Sequence, residues 1–301
     1  MKSILLCVDG SSYSVVAAKY AIDAANLMDA NVNILYASDL KRFEISMIAD
    51  FGGSIGAQPY QDMLSTVINF EKKKAAFLEK KFSKLFSAAG LDDRYKFHHR
   101  TGIIFDTFDE FKNDITGLDL VIVGKRGESS DEKEEHIGET VDGILNNINC
   151  PCLVAPRQYS KIKNILVAYD GSESSTKAIH SIERNVFFKN FEIHVISINP
   201  DTKVQQNIEN IEEILSKDAG LKIKTIQKNP CDAPEIISKY VIENDIDLVM
   251  TGSFSHNVIR RFLLGSTTID ILEKTPTAML IFNYAFLSSD IYFLCTFDTS
   301  C

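Results

Sequence analysis

The residue pattern best suited to chemistry lies between positions 252 and 267. Gly252 and, three positions on, Ser255 are followed after nine residues by Gly265-Ser266-Thr267. A small residue at a strand end lets a ligand approach the main chain closely. A Gly-Ser step that opens a helix presents unbonded N–H groups and the positive end of the helix dipole, which together suit a phosphate. The Ser266 and Thr267 hydroxyls add donors, and Arg260 and Arg261 in the intervening loop offset anionic charge. The same residues also satisfy a plain tight turn and N-cap with no ligand, and the pattern alone leaves that alternative open.

The pattern belongs to a repeat. Residues 4–11 read Ile-Leu-Leu-Cys-Val-Asp-Gly-Ser and residues 165–172 read Ile-Leu-Val-Ala-Tyr-Asp-Gly-Ser. Later landmarks recur in order: Asp119-Leu120-Val121 and Asp247-Leu248-Val249, Gly124 and Gly252, Gly138 and Gly265, then Pro151 and Pro276 before short apolar runs. Repetition at this length means two copies of one domain. The first copy reads Gly124-Lys125-Arg126-Gly127, then ten residues to Gly138, with Glu139 in place of the hydroxyl residue. Its loop carries Glu128, Asp131, Glu132, Glu134 and Glu135 against Lys133. Carboxylates beside a polyphosphate are unfavourable, and Lys125 and Arg126 offset them only in part. This copy is expected to bind nucleotide poorly.

The arrangement resembles the universal stress protein family, whose ATP-binding members carry Gly-x2-Gly-x9-Gly-Ser/Thr. The resemblance covers residues 1–284 as two tandem copies, and Ser255 stands where the family has its second glycine. It implies ATP or a related nucleotide as ligand, alone or with Mg, in the second copy. There Asp170 would lie near the ribose or a metal and Val195 would offer main-chain bonds to adenine. Gly252, Ser255, Gly265, Ser266 and Thr267 would surround the phosphates. The weaker first-copy counterparts are Asp9, Gly124, Gly127 and Gly138. The output would be regulatory, with at most weak ATP hydrolysis. A non-nucleotide small-molecule or scaffold module and a slow ATPase, with Asp170 its one candidate for positioning water, are the alternatives.

Composition bounds these readings. The 301 residues are 45% hydrophobic and 24% charged, with net charge -9, and suit two domains of ordinary size. A negative field disfavours nucleic acid as a partner. The N-terminus enters a strand at once, with no charged-then-apolar leader, and no apolar run reaches membrane-spanning length; a cytoplasmic protein without membrane contact is expected. Six cysteines show no framework spacing, and Cys150-Pro-Cys152 reads as buried thiols. No Gly-x4-Gly-Lys-Ser/Thr run, dinucleotide fingerprint or catalytic triad spacing is present. Gly52-Gly53-x-x-Gly56 lacks the flanking strand and helix a fingerprint needs. His98-His99 and His194 read as strand residues, and His256 is the one histidine near the expected phosphates.

Strands and helices alternate. The first copy has strands at 3–8, 32–37, 94–99, 118–123 and 152–155, with helices at 11–27, from Pro59 to Gly90, at 104–111 and at 139–148. Residues 41–58 form a long loop. The Pro59 helix is expected to bury Met63, Val67, Phe70, Phe77, Phe82 and Leu85. The second copy repeats the order from 163 to 282. Alternation predicts an α/β fold: two tandem doubly wound domains, each a five-stranded parallel sheet with helices on both faces. The divisions are 1–158, 159–284 and an irregular extension, 285–301. Family resemblance further implies strand order 3-2-1-4-5 and fifth strands paired across the domains. The monomer would then form an intramolecular pseudo-dimer, with homodimerisation also open.

Overall fold

Strands covered on both faces read as continuous apolar runs, and the repeated Ile-Leu segments become the centre of a sheet. A computed structural model describes residues 2–38, 57–102, 117–127, 141, 143–145, 148, 150–183, 188, 191–198, 202–217, 222–228, 232–252 and 266–282. Ten strands form the sheet: β1 (Lys2–Val8), β2 (Ala30–Ser38), β3 (Tyr95–Thr101), β4 (Leu118–Gly124), β5 (Cys152–Ala155), β6 (Asn164–Ala168), β7 (Glu192–Ile198), β8 (Lys222–Lys228), β9 (Leu248–Gly252) and β10 (Ala278–Phe282). Their order is β3-β2-β1-β4-β5-β10-β9-β6-β7-β8. Every pairing is parallel except β5 with β10, where Val154, Leu153 and Cys152 face Met279, Leu280 and Ile281 antiparallel.

Six helices have defined bounds among the described residues: α1 (Ser12–Met28), α2 (Ala57–Ala88), α3 (Glu173–Glu183), α4 (Thr202–Lys217), α5 (Ala233–Glu243) and α6 (Ser266–Lys274). One apolar layer packs α1 and α2 through Ala17, Tyr20, Phe82 and Phe86, and α3 and α4 through Ile179, Ile182 and Ile208. The other holds Ile144 and Leu145 of the first copy and, through Ile237 and Ile271, helices α5 and α6. Each layer draws on both copies, so the core does not stop at the domain boundary. No helix among the described residues is long and apolar enough to cross a membrane.

The repeated Asp-Leu-Val aspartates fasten the N-terminal ends of neighbouring strands. Asp119 Oδ2 accepts from the Ser3 N–H at 2.7 Å. At the matching place Asp247 Oδ2 accepts from Lys163 and Asn164 N–H at 2.9 and 3.1 Å. The connecting segment is tied down as well. Tyr159 packs against Tyr20 at a tilt, with centroids 5.0 Å apart, its hydroxyl donates to Asp23 Oδ2 at 2.5 Å, and the Ser160 N–H donates to the Tyr20 hydroxyl at 3.3 Å.

Two sequence expectations need correction. Helix α2 starts at Ala57, before Pro59, because the first-turn N–H groups have no helical acceptor and proline is tolerated there. Its buried face keeps Phe82 and packs Leu85 on the core but otherwise departs from the expected stripe. Ala75, Leu78, Phe82 and Phe86 face the core, whereas Phe70 and Phe77 are 64% and 66% exposed and Met63 is exposed too. Glu71 takes a core-facing position because Tyr36 donates to its Oε2 at 2.5 Å. The 41–56 part of the long loop, helix 104–111 and the 285–301 extension lie outside the described residues, as does most of helix 139–148.

Candidate functional site

Open parallel sheets place ligands beyond their C-terminal strand ends, where strand order reverses. In the second copy that point lies between β6 and β9, with β7 on the far side of β6. The turn after β6 is built by Asp-Gly-Ser-x-x-Ser. Asp170 Oδ1 accepts from the Ser172 N–H at 3.0 Å and the Ser175 hydroxyl at 2.7 Å. The Ser172 hydroxyl accepts from the Ser175 N–H at 3.2 Å, capping the start of α3. Gly171 holds φ of 78°, a left-handed conformation that glycine adopts without a Cβ penalty.

The first copy repeats this network atom for atom. Asp9 Oδ1 accepts from the Ser11 N–H at 3.0 Å and from the Ser14 hydroxyl. Ser11 caps α1 by accepting from the Ser14 N–H at 3.2 Å. Gly10 takes φ of 101°. The primary work of both aspartates is therefore to lock the strand-to-helix turn. Among the described residues Asp170 uses only Oδ1 in these bonds, and Oδ2 makes none.

Gly252 ends β9 against the same turn. A Cβ there would collide with the Ser174 side chain and come within 2.7 Å of the Ser175 N–H. Gly124 in the first copy would meet Tyr13 Cβ at 2.7 Å. The glycine requirement at both strand ends thus comes from packing on a helix N-terminus. The Gly252 carbonyl accepts from Thr268 Oγ1 at 3.5 Å, which brings the first turn of α6 to the strand end. Asp170, Gly252 and the start of α6, with Ser266 and Thr267, converge on one edge. Ser255, Gly265 and His256 lie outside the described residues, as does Gly138.

Val195 is not at that edge. It pairs with Val167 and Thr225 in mid-strand, three residues before the end of β7, and is buried. Two positions further on, Ser197 is buried with a hydroxyl that finds no partner among the described residues. Sequence reasoning missed Ser197, because it is one of three polar residues in β7, with Glu192 and His194, and nothing local singles it out.

In the first copy, Gly127 brings its α-carbon close to Asp9: a Cβ there would sit 2.9 Å from Asp9 Oδ2. Lys125 turns away from this site. Its ammonium donates to the Glu273 and Thr275 carbonyls at 2.9 and 3.1 Å, closing the C-terminal end of α6 in the other copy. Burial and then the neighbouring Arg126 pull the Lys125 pKa down to about 8, opposed by Glu273. The acidic first-copy loop therefore lacks one of the two cations that the sequence offered it.

Among the described residues, His98, His99 and His194 have protein partners and three cysteines are buried. His194 Nδ1 bonds the Tyr240 hydroxyl at 2.6 Å and its Nε2 the Glu192 carboxylate at 3.1 Å. His98 Nε2 donates to Asn33 Oδ1 at 3.0 Å, and His99 Nε2 bonds the Ser38 hydroxyl at 2.9 Å. Cys7, Cys150 and Cys152 are buried and form no disulfide. Among the described residues no group of three His, Cys, Asp or Glu could hold a metal ion.

Comparison with known proteins follows the repeat. The family model described as Universal stress protein family matches residues 1–156 and again 161–283. The chain is 31% identical over 292 residues to universal stress protein Slr1230 of Synechocystis sp., covering 94% of this chain and all of that protein. It is 27% identical over 158 residues to universal stress protein MJ0531 of Methanocaldococcus jannaschii, covering 52% of this chain and 82% of that protein. Among solved structures, a universal stress protein from Archaeoglobus fulgidus superposes with a TM-score of 0.70 at 18% identity, over 93% of this chain and 96% of that one.

Proposed function

The chain belongs to the universal stress protein family, and on that premise we propose that its second copy binds ATP or a related nucleotide as a regulatory ligand. One observation carries the reading: Asp170, Gly252 and the first turn of α6 converge where strand order reverses. The free N–H groups of α6 and the Ser266 and Thr267 hydroxyls would take the phosphates, and Asp170 Oδ2 would face the ribose or a Mg ion. Ser255 and Gly265 would complete the phosphate loop. Adenine would sit near the end of β7, beyond Val195. The first copy would bind weakly, because Lys125 is engaged elsewhere and its loop is acidic. Nucleotide would act by its differential affinity for two conformations of the loop before α6. The antiparallel β5–β10 seam would let one chain do what two copies of a single-domain relative do, in the cytoplasm and without turnover.

Isothermal titration of ATP tests this. Gly265→Asp, which sets a carboxylate among the phosphate-binding amides, is expected to weaken binding by about tenfold or more, equivalent to about 1.4 kcal/mol. Gly138→Asp is expected to change little. Equal losses in the two variants would refute the asymmetry.

A second reading, a binding module for another small molecule, is favoured by the packing role of Gly252 and the mid-strand position of Val195. Mass spectrometry of ligand released from denatured protein separates the two.

A further inference from the structure

A cavity of about 450 Å³ opens at the junction of the two copies, and Asp9 is not among the described residues that line it. Tyr13, Lys125 and Arg126 line it from the first copy, Arg157 from the connecting segment, and Thr275 and Pro276 from the second. Its volume lies within the range of small-molecule sites. Among the described lining residues three are cationic and none is a carboxylate, in a chain whose net charge is -9.

Among the described residues neither Arg126 nor Arg157 has an ion-pair partner. Arg126 Nε is shielded from solvent and has no acceptor, although a buried N–H without an acceptor is costly. Lys125 uses two of its three donors on the α6 carbonyls, and the proximity of Arg126 depresses its pKa further. Like charges gathered in a half-open cavity, with a donor left over, are complementary to an anion that accepts several hydrogen bonds.

We propose that this interdomain cavity is a second ligand site, built for a small phosphate-type polyanion. Arg126 Nε and the third Lys125 donor face the buried end of the anion, and Arg157 closes over it from the solvent side. Tyr13 and Pro276 give apolar walls to whatever carries the charge. The site occurs once per chain. In the repeat alignment the positions of Tyr13, Lys125 and Arg126 are held in the second copy by Ser174, Ser253 and Phe254, which supply no cation.

Titration of the full chain with inorganic pyrophosphate tests the site, using the wild type, the double variant Arg126→Gln/Arg157→Gln and Gly265→Asp. Circular dichroism confirms that each variant is folded, and Arg157→Gln alone serves if the double variant is not, because Arg157 is exposed. One saturable site is expected in the wild type, weakened by about tenfold in the double variant, since charge-assisted bonds are lost. Gly265→Asp is expected to retain it, which separates this site from the nucleotide proposal. Competition by ADP but not adenosine in the Gly265→Asp background would mark a nucleotide's phosphates as the polyanion, and no competition a free one. Absence of saturable binding to the wild type overturns the proposal. So does binding that survives in the double variant, or that falls as far in Gly265→Asp.

Discussion

At the scale of single residues, Gly252 and Asp170 show how one position serves structure and site together. The missing Cβ of Gly252 is what lets β9 end against Ser174 and Ser175. Gly252→Ala is expected to destabilise the fold by about 1–3 kcal/mol through overpacking, read as a lower urea midpoint with unchanged slope. An unchanged midpoint would show that the turn after β6 can yield. Asp170 was legible in the sequence because Asp-Gly-Ser occurs twice. Its partner Ser175 was not, since a hydroxyl five residues on carries no local signal until the helix turns it back onto the carboxylate. Lys125 was likewise invisible in its actual role: its acceptors lie 148 and 150 residues away, and no spacing rule reaches that far.

Among elements, strands were easier to locate than helix faces. Continuous apolar runs such as 4–8 and 165–168 permit one reading, whereas a 32-residue helix rich in Phe, Leu and Lys permits several phases. The buried phase of α2 was decided by the Tyr36–Glu71 bond and by Leu78 against the turn at Gly10, both tertiary facts. Strand β3 carries a pH response. Burial, then Lys96 and Arg100, hold the His98 pKa down at about 4, below its ordinary 6.5. The unfolded chain thus binds a proton between these values that the folded chain refuses. Stability contributed by neutral His98 is full above pH 6.5 and is lost as pH falls toward 4. His98→Gln is expected to flatten that part of the pH–stability profile measured by urea melts; an identical slope in the variant would assign the response elsewhere, for instance to His99.

For the whole molecule, the two copies share apolar layers and the β5–β10 ladder, so they are expected to unfold as one unit. A chain cleaved at a protease site inserted between Lys161 and Ile162 is expected to elute from a sizing column at the mass of the uncut chain. Elution as two half-mass species in native buffer would show that the connecting segment, not the interface, holds the halves together. The repeat announced this architecture from the sequence, but the strand-to-strand register that joins the copies is a pairing of two short runs, 152–155 and 278–282, with nothing local to mark them as partners.

Joining β5 to β10 inside one chain leaves β3 and β8 as the outer margins of the sheet. The β3 margin presents Lys96 and Arg100, both exposed, and the β8 segment is lysine-rich in sequence. Charged rims of this kind repel a third partner. Among the described strands, the β5–β10 seam is occupied within the chain, and a charged β3 margin disfavours edge-to-edge stacking.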